Sequence, residues 1–423
     1  MALGAMEQTK ETVELEKQLY QLTTLVAGNT SLQQALDRLA EAAVRIVGVK
    51  ACSIRLLDEN AGDLKMCSTF GLSQEYRNKG VVSKDDPVIK AAFLGEAVIL
   101  DDMRVDDRVK YKEASIKEGI VSQLTVAMVF RDKAIGVLRL YSPEPKRFTR
   151  ENISLARSVA SQCATAITNA KLYAEAMKGA MMAEQLKLAG VIQRRMIPEQ
   201  APVMDRLDIS AAYIPCFDVG GDFYDFIQID NDHIAIIIAD VIGKGLPAAI
   251  MMSSFRGSAR AYIDGSKGKN LLEIINRINK YTCKECENGE FITMFSAIIN
   301  VKKMTMTYCN CGHEPAILVR KNKCSDLNKG GLVLGVEEDF NYECGTVKLV
   351  ANDCILFYTD GLIDAVNFDG QLWTRENLQK AAIQFTDGAA RHIVKNILSY
   401  RRRFVGLAKQ VDDTSLIAIK ING

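Results

Sequence analysis

Three observations predict an α+β fold built as two domains around one long helix. Short strand-like runs alternate with helical ones between residues 51 and 141. From Ile153 to Met181, apolar and small residues recur at alternating spacings of three and four, the period of a helix with a single packed seam. After Pro202 the pattern changes to apolar strands that end in aspartates. The length agrees, since 423 residues exceed what one hydrophobic core usually holds and imply two or three domains.

Composition narrows the class. With 53 basic against 52 acidic residues, nothing in the overall charge suggests nucleic acid or a charged membrane surface as partner. Hydrophobic residues at 48% and charged residues at 25% are ordinary for a globular chain. No apolar run reaches the roughly 18 residues of a membrane span and no apolar signal core opens the chain, so a soluble cytoplasmic protein without membrane insertion is expected. The 11 cysteines, scattered and odd in number, fit reduced thiols better than a disulfide framework.

In chain order, residues 1–21 read as an entry helix, charged and with Leu15 and Leu19 on one side. Residues 22–149 form the first domain. Asn29-Thr30-Ser31 caps a second amphipathic helix over 32–47. Strands follow at 51–58, 64–70, 97–100, 123–130 and 134–141, the last two joined by Arg131-Asp132-Lys133 as a hairpin. The long helix occupies 150–197, with Thr149 as its N-cap. Ile153, Ala156, Ala160, Cys163, Ile167, Ala170, Ala174, Met177 and Met181 make its seam, whose length of about four heptads between two domains predicts a parallel homodimeric coiled coil. Pro198 and Pro202 end the helix and open the last domain, 198–423.

The chemistry concentrates in that domain. Tyr213–Asp225 carries Asp218, Asp222 and Asp225 among apolar and aromatic residues, with Gly220-Gly221 before the middle acid, where a backbone without Cβ atoms can approach an ion or phosphate. The isoleucine-rich run His233–Ala239 reads as a buried strand delivering Asp240, and Cys354–Thr359 delivers Asp360 in the same way. Asp412-Asp413 opens a final strand at 415–421. Carboxylates gathered at one end of a sheet repel unless cations lie between them, and oxygen-only ligands select Mg²⁺ or Mn²⁺ over zinc. With only three histidines, none spaced as a zinc pair, the residues point to metal-dependent phosphoester hydrolysis.

Two resemblances sharpen this. G-L-S at Gly71, I-L-D-D-M around Asp101, E-G-I-V-S-Q-L-T-V-A-M, A-I-G-V-L-R-L-Y-S and K-R-F-T-R-E-N resemble a GAF domain over about 22–170. That resemblance implies a regulatory module that binds a small-molecule or protein effector, or one that only dimerises. Q-R-R-M-I-P, V-G-G-D-F-Y-D, I-A-D-V-I-G-K-G, F-I-T-M-F, N-C-G-H-E-P, L-G-V, T-D-G-L-I-D and D-D-T-S, in that order from Gln193 to Ser415, resemble the PPM protein phosphatases of the SpoIIE/RsbU branch. The implied fold is a β-sandwich flanked by helices.

Carried over by position, the second resemblance implies two Mn²⁺ or Mg²⁺ ions. Asp240 would bridge both, the Val241 carbonyl and Asp222 would serve the second, and Asp360 and Asp412 the first, a water between the ions doing the hydrolysis. The implied substrate is a phosphoserine or phosphothreonine on a small STAS-type anti-anti-sigma protein. Ile242 stands where many eukaryotic members have a histidine, so the leaving oxygen must take its proton elsewhere. His313 reads as a structural histidine in a turn. Cys283, Cys286, Cys309 and Cys311 have the ligand chemistry of a four-thiolate zinc site, but the family turn already accounts for the last two. A non-catalytic scaffold that binds a phosphoprotein is the alternative.

Overall fold

The computed structural model describes residues 31–266, 270–287 and 289–423, so the expected helix at 1–21 and the opening of the first domain at 22 lie outside the described residues. The chain divides into two units after Ala180. Among the described residues, no helix is long and apolar enough to cross a membrane.

In the first unit, α1 (Leu32–Val47) starts where the Ser31 hydroxyl accepts from the Gln34 amide while the Gln34 side chain accepts from the Ser31 N–H, so two otherwise orphaned donors are satisfied. The strands are β1 (Ala51–Asp58), β2 (Asp63–Phe70), β3 (Val98–Leu100), β4 (Ser122–Phe130) and β5 (Lys133–Ser142). They form one antiparallel sheet in the order β2-β1-β5-β4-β3. The hairpin loop is shorter than expected. Lys133 already pairs with Phe130, and Arg131 and Asp132 alone turn the chain with φ of 45° and 64°, the backbone that matches the twist of a two-residue hairpin.

Strand alternation gives this sheet two unlike faces. Cys52, Ile54, Leu124, Val126, Met128, Leu138 and Leu140 form a core with α1. The other face carries Ser53, Arg55, Gln123, Thr125 and Arg139, all buried, on the side of the sheet where Val137 and Tyr141 cluster with residues of α2 (Gln74–Arg77) and α3 (Pro87–Phe93). A further short helix, α4 (Lys112–Lys117), precedes β4.

The long helix α5 (Arg150–Arg194) begins with the Thr149 hydroxyl accepting from the Asn152 N–H. Ala156, Ala160, Cys163 and Ile167, four of the residues assigned to a dimer seam, are fully buried in the first unit's own core. These four are therefore not open to a partner helix, as the seam expected over 150–197 required: small and apolar residues at helical spacing pack equally well on their own sheet. From Leu172 the apolar side chains turn outward, with Tyr173 and Met181 the most exposed at 69% and 61%.

The second unit is a sandwich of two sheets, as expected. β7 (Phe223–Gln228), β8 (His233–Val241), β9 (Ile292–Asn300), β10 (Thr305–Cys311) and β13 (Gly330–Gly331) make one, with β14 (Gly345–Lys348) also on β10. β6 (Leu207–Ile214), β11 (Ala316–Arg320), β12 (Lys323–Leu327), β15 (Cys354–Tyr358) and β16 (Thr414–Ile421) make the other. Ile234, Ile236, Ile238, Phe295, Ile355, Phe357, Ile417 and Ile419 join both sheets in one core. Two helices, α6 (Leu246–Gly265) and α7 (Leu271–Glu285), contribute Phe255, Ile274 and Ile278 to that core. A short helix, α8 (Asp360–Ile363), with α9 (Thr374–Phe385) and α10 (Ala390–Val405) cover the second sheet.

Candidate metal centre

The predicted aspartates come from the same end of the two sheets. Phe223 pairs with Ala239 across β7 and β8, so the next step of that register sets Asp222 opposite Asp240. In the second sheet, β15 runs into Asp360, the first residue of α8, and β16 is entered from Asp412. Asp240 itself lies within β8, paired with Thr293, rather than after the strand as expected.

Asp222 is 2% exposed and is held from the opposite sheet. The Thr359 hydroxyl donates to its Oδ2 at 2.6 Å and the Ser415 hydroxyl at 3.1 Å, while the Ser415 N–H donates back to Thr359 Oγ1 at 2.9 Å. Burial, and after it the charge of Asp240, raises the Asp222 carboxyl well above the usual carboxylate range. Asp240 is pushed up to about 7, first by burial and then by Asp360. Asp360 is raised by burial and by Asp412. Asp412 is paired with Lys244 at 2.7 Å. Val241 is fully buried, and its carbonyl lies 2.8 Å from where a Cβ on Gly221 would stand. Among the described residues, no three His, Cys, Asp or Glu side chains are drawn close enough to hold an ion as they stand.

Not every expected acid belongs here. Asp225 is fully buried but is answered by Arg256 at 2.9 Å and Arg260 at 2.8 Å, both from α6, so it is an internal ion pair. Asp218 is exposed. Asp413 spends both oxygens on backbone: Oδ1 accepts from the Cys216 N–H at 2.7 Å and Oδ2 from the Gly221 N–H at 2.9 Å. It ties down the loop before Asp222. The glycines of that loop make room for the protein's own groups: a Cβ on Gly220 would fall 2.0 Å from Asp413 Oδ2.

His313 is buried with Nδ1 2.8 Å from Thr293 Oγ1, and burial lowers it to about 4, which keeps it neutral as a structural histidine would be. Cys309 and Cys311 are buried on β10 with their sulfurs 3.9 Å apart.

Two residues escaped the sequence reading. Lys244 faces Asp412, and its only signal was its place in the G-K-G turn after Asp240. Gln193, 5% exposed near the end of α5, donates through Nε2 to the Gly220 carbonyl at 2.7 Å and accepts through Oε1 from the Gly220 N–H at 2.9 Å. One turn earlier, a Cβ on Gly190 would sit 1.9 Å from the Asp218 carbonyl, so a side chain there would force helix and loop apart. The end of the long helix thus grips the segment that positions Asp222.

Comparison with known proteins agrees with this architecture. Residues 230–422 match the family described as Stage II sporulation protein E (SpoIIE), and residues 29–168 match the GAF domain. Phosphoserine phosphatase RsbU of Bacillus subtilis is 33% identical over 215 residues, 50% of this chain and 63% of that protein. Phosphoserine phosphatase RsbP of the same organism is 25% identical over 185 residues, 43% of this chain and 45% of that protein. The chain thus spans less than two thirds of the length of either. The solved SiaA-PP2C domain of Pseudomonas aeruginosa shares the fold, with a TM-score of 0.53 and 16% identity over 58% of this chain and 99% of that domain. The chain carries a GAF domain followed by a SpoIIE-type domain of the PP2C fold.

Proposed function

We propose that this chain is a divalent-metal-dependent protein serine/threonine phosphatase. Its substrate is a phosphoserine or phosphothreonine on a small STAS-type regulatory protein. One observation carries the reading: Asp222, Asp240 and Asp360, buried or half-buried at one end of the sandwich, are each raised first by burial and then by a neighbouring carboxylate (Asp240, Asp360 and Asp412 in turn), a concentration of acids that Lys244 alone does not answer. The donor set, carboxylates with the Val241 carbonyl, is oxygen only and fits Mn²⁺ or Mg²⁺. Asp240 and Asp222 would hold one ion with the Val241 carbonyl, and Asp240, Asp360 and Asp412 the other. When bound, such ions activate water and neutralise charge on a phosphoryl group. Thr359 and Ser415 orient Asp222 by donating to it, which leaves its second oxygen for a ligand. Lys244, half-exposed beside Asp412, is the cation available to a substrate phosphate. The likeness to the phosphoserine phosphatases RsbU and RsbP supports a phosphoserine substrate. An apolar hollow of about 360 Å³ lined by Ile250, Met251, Phe255 and Tyr281 gives a protein substrate a surface to rest on.

Control runs through the long helix and the N-terminal domain. Outward-facing Leu172, Tyr173, Met177 and Met181 suit a second copy of the helix, and Gln193 and Gly190 connect the helix end to the Asp222 loop. The test is release of phosphate from a phosphoserine peptide with Mn²⁺, without divalent ions, and with Asp240→Asn. Turnover that needs the ion and is lost in the variant is the expected result. Binding of the phosphoprotein without turnover in any condition would make the domain a scaffold.

A further inference from the structure

The polar face of the first unit's sheet buries positive charge that the fold does not answer. Arg139, in β5, is 7% exposed; its Nε has no partner, and among the described residues its side chain makes no hydrogen bond or ion pair. Arg55, on the neighbouring strand β1, is 4% exposed; it gives one Nη to the Leu64 carbonyl and leaves its Nε unpartnered. Lys79 lies over the Tyr76 ring, Nζ 3.3 Å from the centroid, and forms no ion pair among the described residues. Burial, then the charges of Arg139 and Arg55, lower Lys79 to about 6. Two buried guanidinium charges, with the half-buried Lys79 amine beside them, crowd a region where a buried charge is costly unless paired.

Lys79 and Arg139 line a cavity of about 40 Å³ together with Gln123, Tyr111 and Arg108. That is room for a few heavy atoms, more than the one sphere a single water needs. Its one carboxylate, Asp86, is already engaged by the Ser83 N–H at 3.1 Å and by Lys110 at 3.8 Å, and Arg108 is paired with Asp106 at 2.7 Å. The unanswered donors are therefore those of Arg139 and Lys79. A guanidinium matches the two oxygens of a carboxylate or phosphate, and a charge-assisted bond of this kind is roughly twice as strong as a neutral one.

We infer that this cavity is a binding site for a compact oxyanion, the carboxylate or phosphate group of a small ligand, held by Arg139 and Lys79. The inference concerns binding alone and stands whether or not the second domain is a phosphatase. It is tested by calorimetric titration of the full chain, freed of divalent ions on a chelating resin so that phosphate finds no metal elsewhere. The probes are sodium phosphate, sodium acetate and sodium succinate, with sodium chloride at matched ionic strength as reference. Saturable binding of at least one oxyanion is expected, weakened about tenfold or more by Arg139→Gln and by Lys79→Gln. The phosphate and carboxylate arms identify which group the site takes. Should Arg139→Gln fail to fold by circular dichroism, Lys79→Gln decides. Heats no different from chloride with every probe, or affinity unchanged in a folded variant, would overturn the assignment.

Discussion

Two clusters of buried charge with opposite signs set the two units apart. At the end of the sandwich, Asp222, Asp240 and Asp360 are raised by burial and then by a neighbouring carboxylate, with Lys244 on Asp412 as the nearby cation. On the polar face of the first sheet, Arg55 and Arg139 are buried and Lys79 half-buried beside them, without a free carboxylate. Charge left unbalanced inside a fold costs stability, so it marks where a ligand of the other sign belongs. Asp225 is the control within the molecule: as buried as Asp222, but met by two arginines, and so a place for no ion.

The largest effect should follow from breaking the acidic cluster. Asp240→Asn is expected to lower phosphoserine-peptide turnover with Mn²⁺ by more than about a hundredfold, since changing even the groups that support metal ligands commonly costs 10- to 100-fold. Turnover within a few-fold of wild type would remove Asp240 from the site. Asp225→Ala should act on the fold. Taking away one side of a buried pair costs about 3 kcal/mol, at the low end because Arg260 is half exposed and can turn to water. Urea unfolding of the two variants separates the roles: Asp225→Ala should lose stability, and Asp240→Asn should not.

A smaller effect is expected where the helix meets the loop. Gln193→Ala leaves the Gly220 N–H and carbonyl without partners in a buried place and loosens the segment before Asp222. Phosphatase activity should fall about tenfold, with saturating Mn²⁺ restoring part of it, because a support of the ligand is lost and no ligand. Activity as low as in Asp240→Asn at every Mn²⁺ concentration would mean that Gln193 does more than position the loop.

How far the sequence could lead is clearest in the residues themselves. Apolar strands running into Asp240 and Asp360 are legible because a strand buried on both faces is a short apolar run, and a charge at its end is conspicuous. Asp222 and Asp225 read together as one acidic segment, and only the fold shows Asp225 met by Arg256 and Arg260. Whether Asp413 joins Asp412 was not legible, since only the fold shows that both oxygens of Asp413 serve backbone amides. Gln193 looked like one polar residue on an amphipathic helix, because its partner lies across the loop at Gly220. Ala156, Ala160, Cys163 and Ile167 have the spacing of a dimer seam and pack in their own domain, a distinction that periodicity does not carry. Arg139, between Leu138 and Leu140 in β5, broke the apolar pattern, but only burial without a partner gives that break its meaning.

The last and smallest effect uses pH to sharpen the contrast between answered and unanswered charge. Asp240 has an unfolded value of 3.8 and a folded value of about 7. Between those values the folded chain holds more protons than the unfolded one, so stability falls as pH rises through the window. Asp222 and Asp360, also raised, act in the same direction. In buffer free of divalent ions, the melting temperature of the second unit's transition should therefore decline from about pH 5 to pH 7.5. The decline should be shallower in Asp240→Asn, which has one carboxyl fewer to ionise. An Mn²⁺ ion held as proposed would bind only the ionised acids, so the stabilisation it gives should grow with pH over the same range. Equal slopes in wild type and Asp240→Asn would mean that Asp240 ionises as readily in the fold as in the unfolded chain, and the claim that its charge calls for a cation would fail.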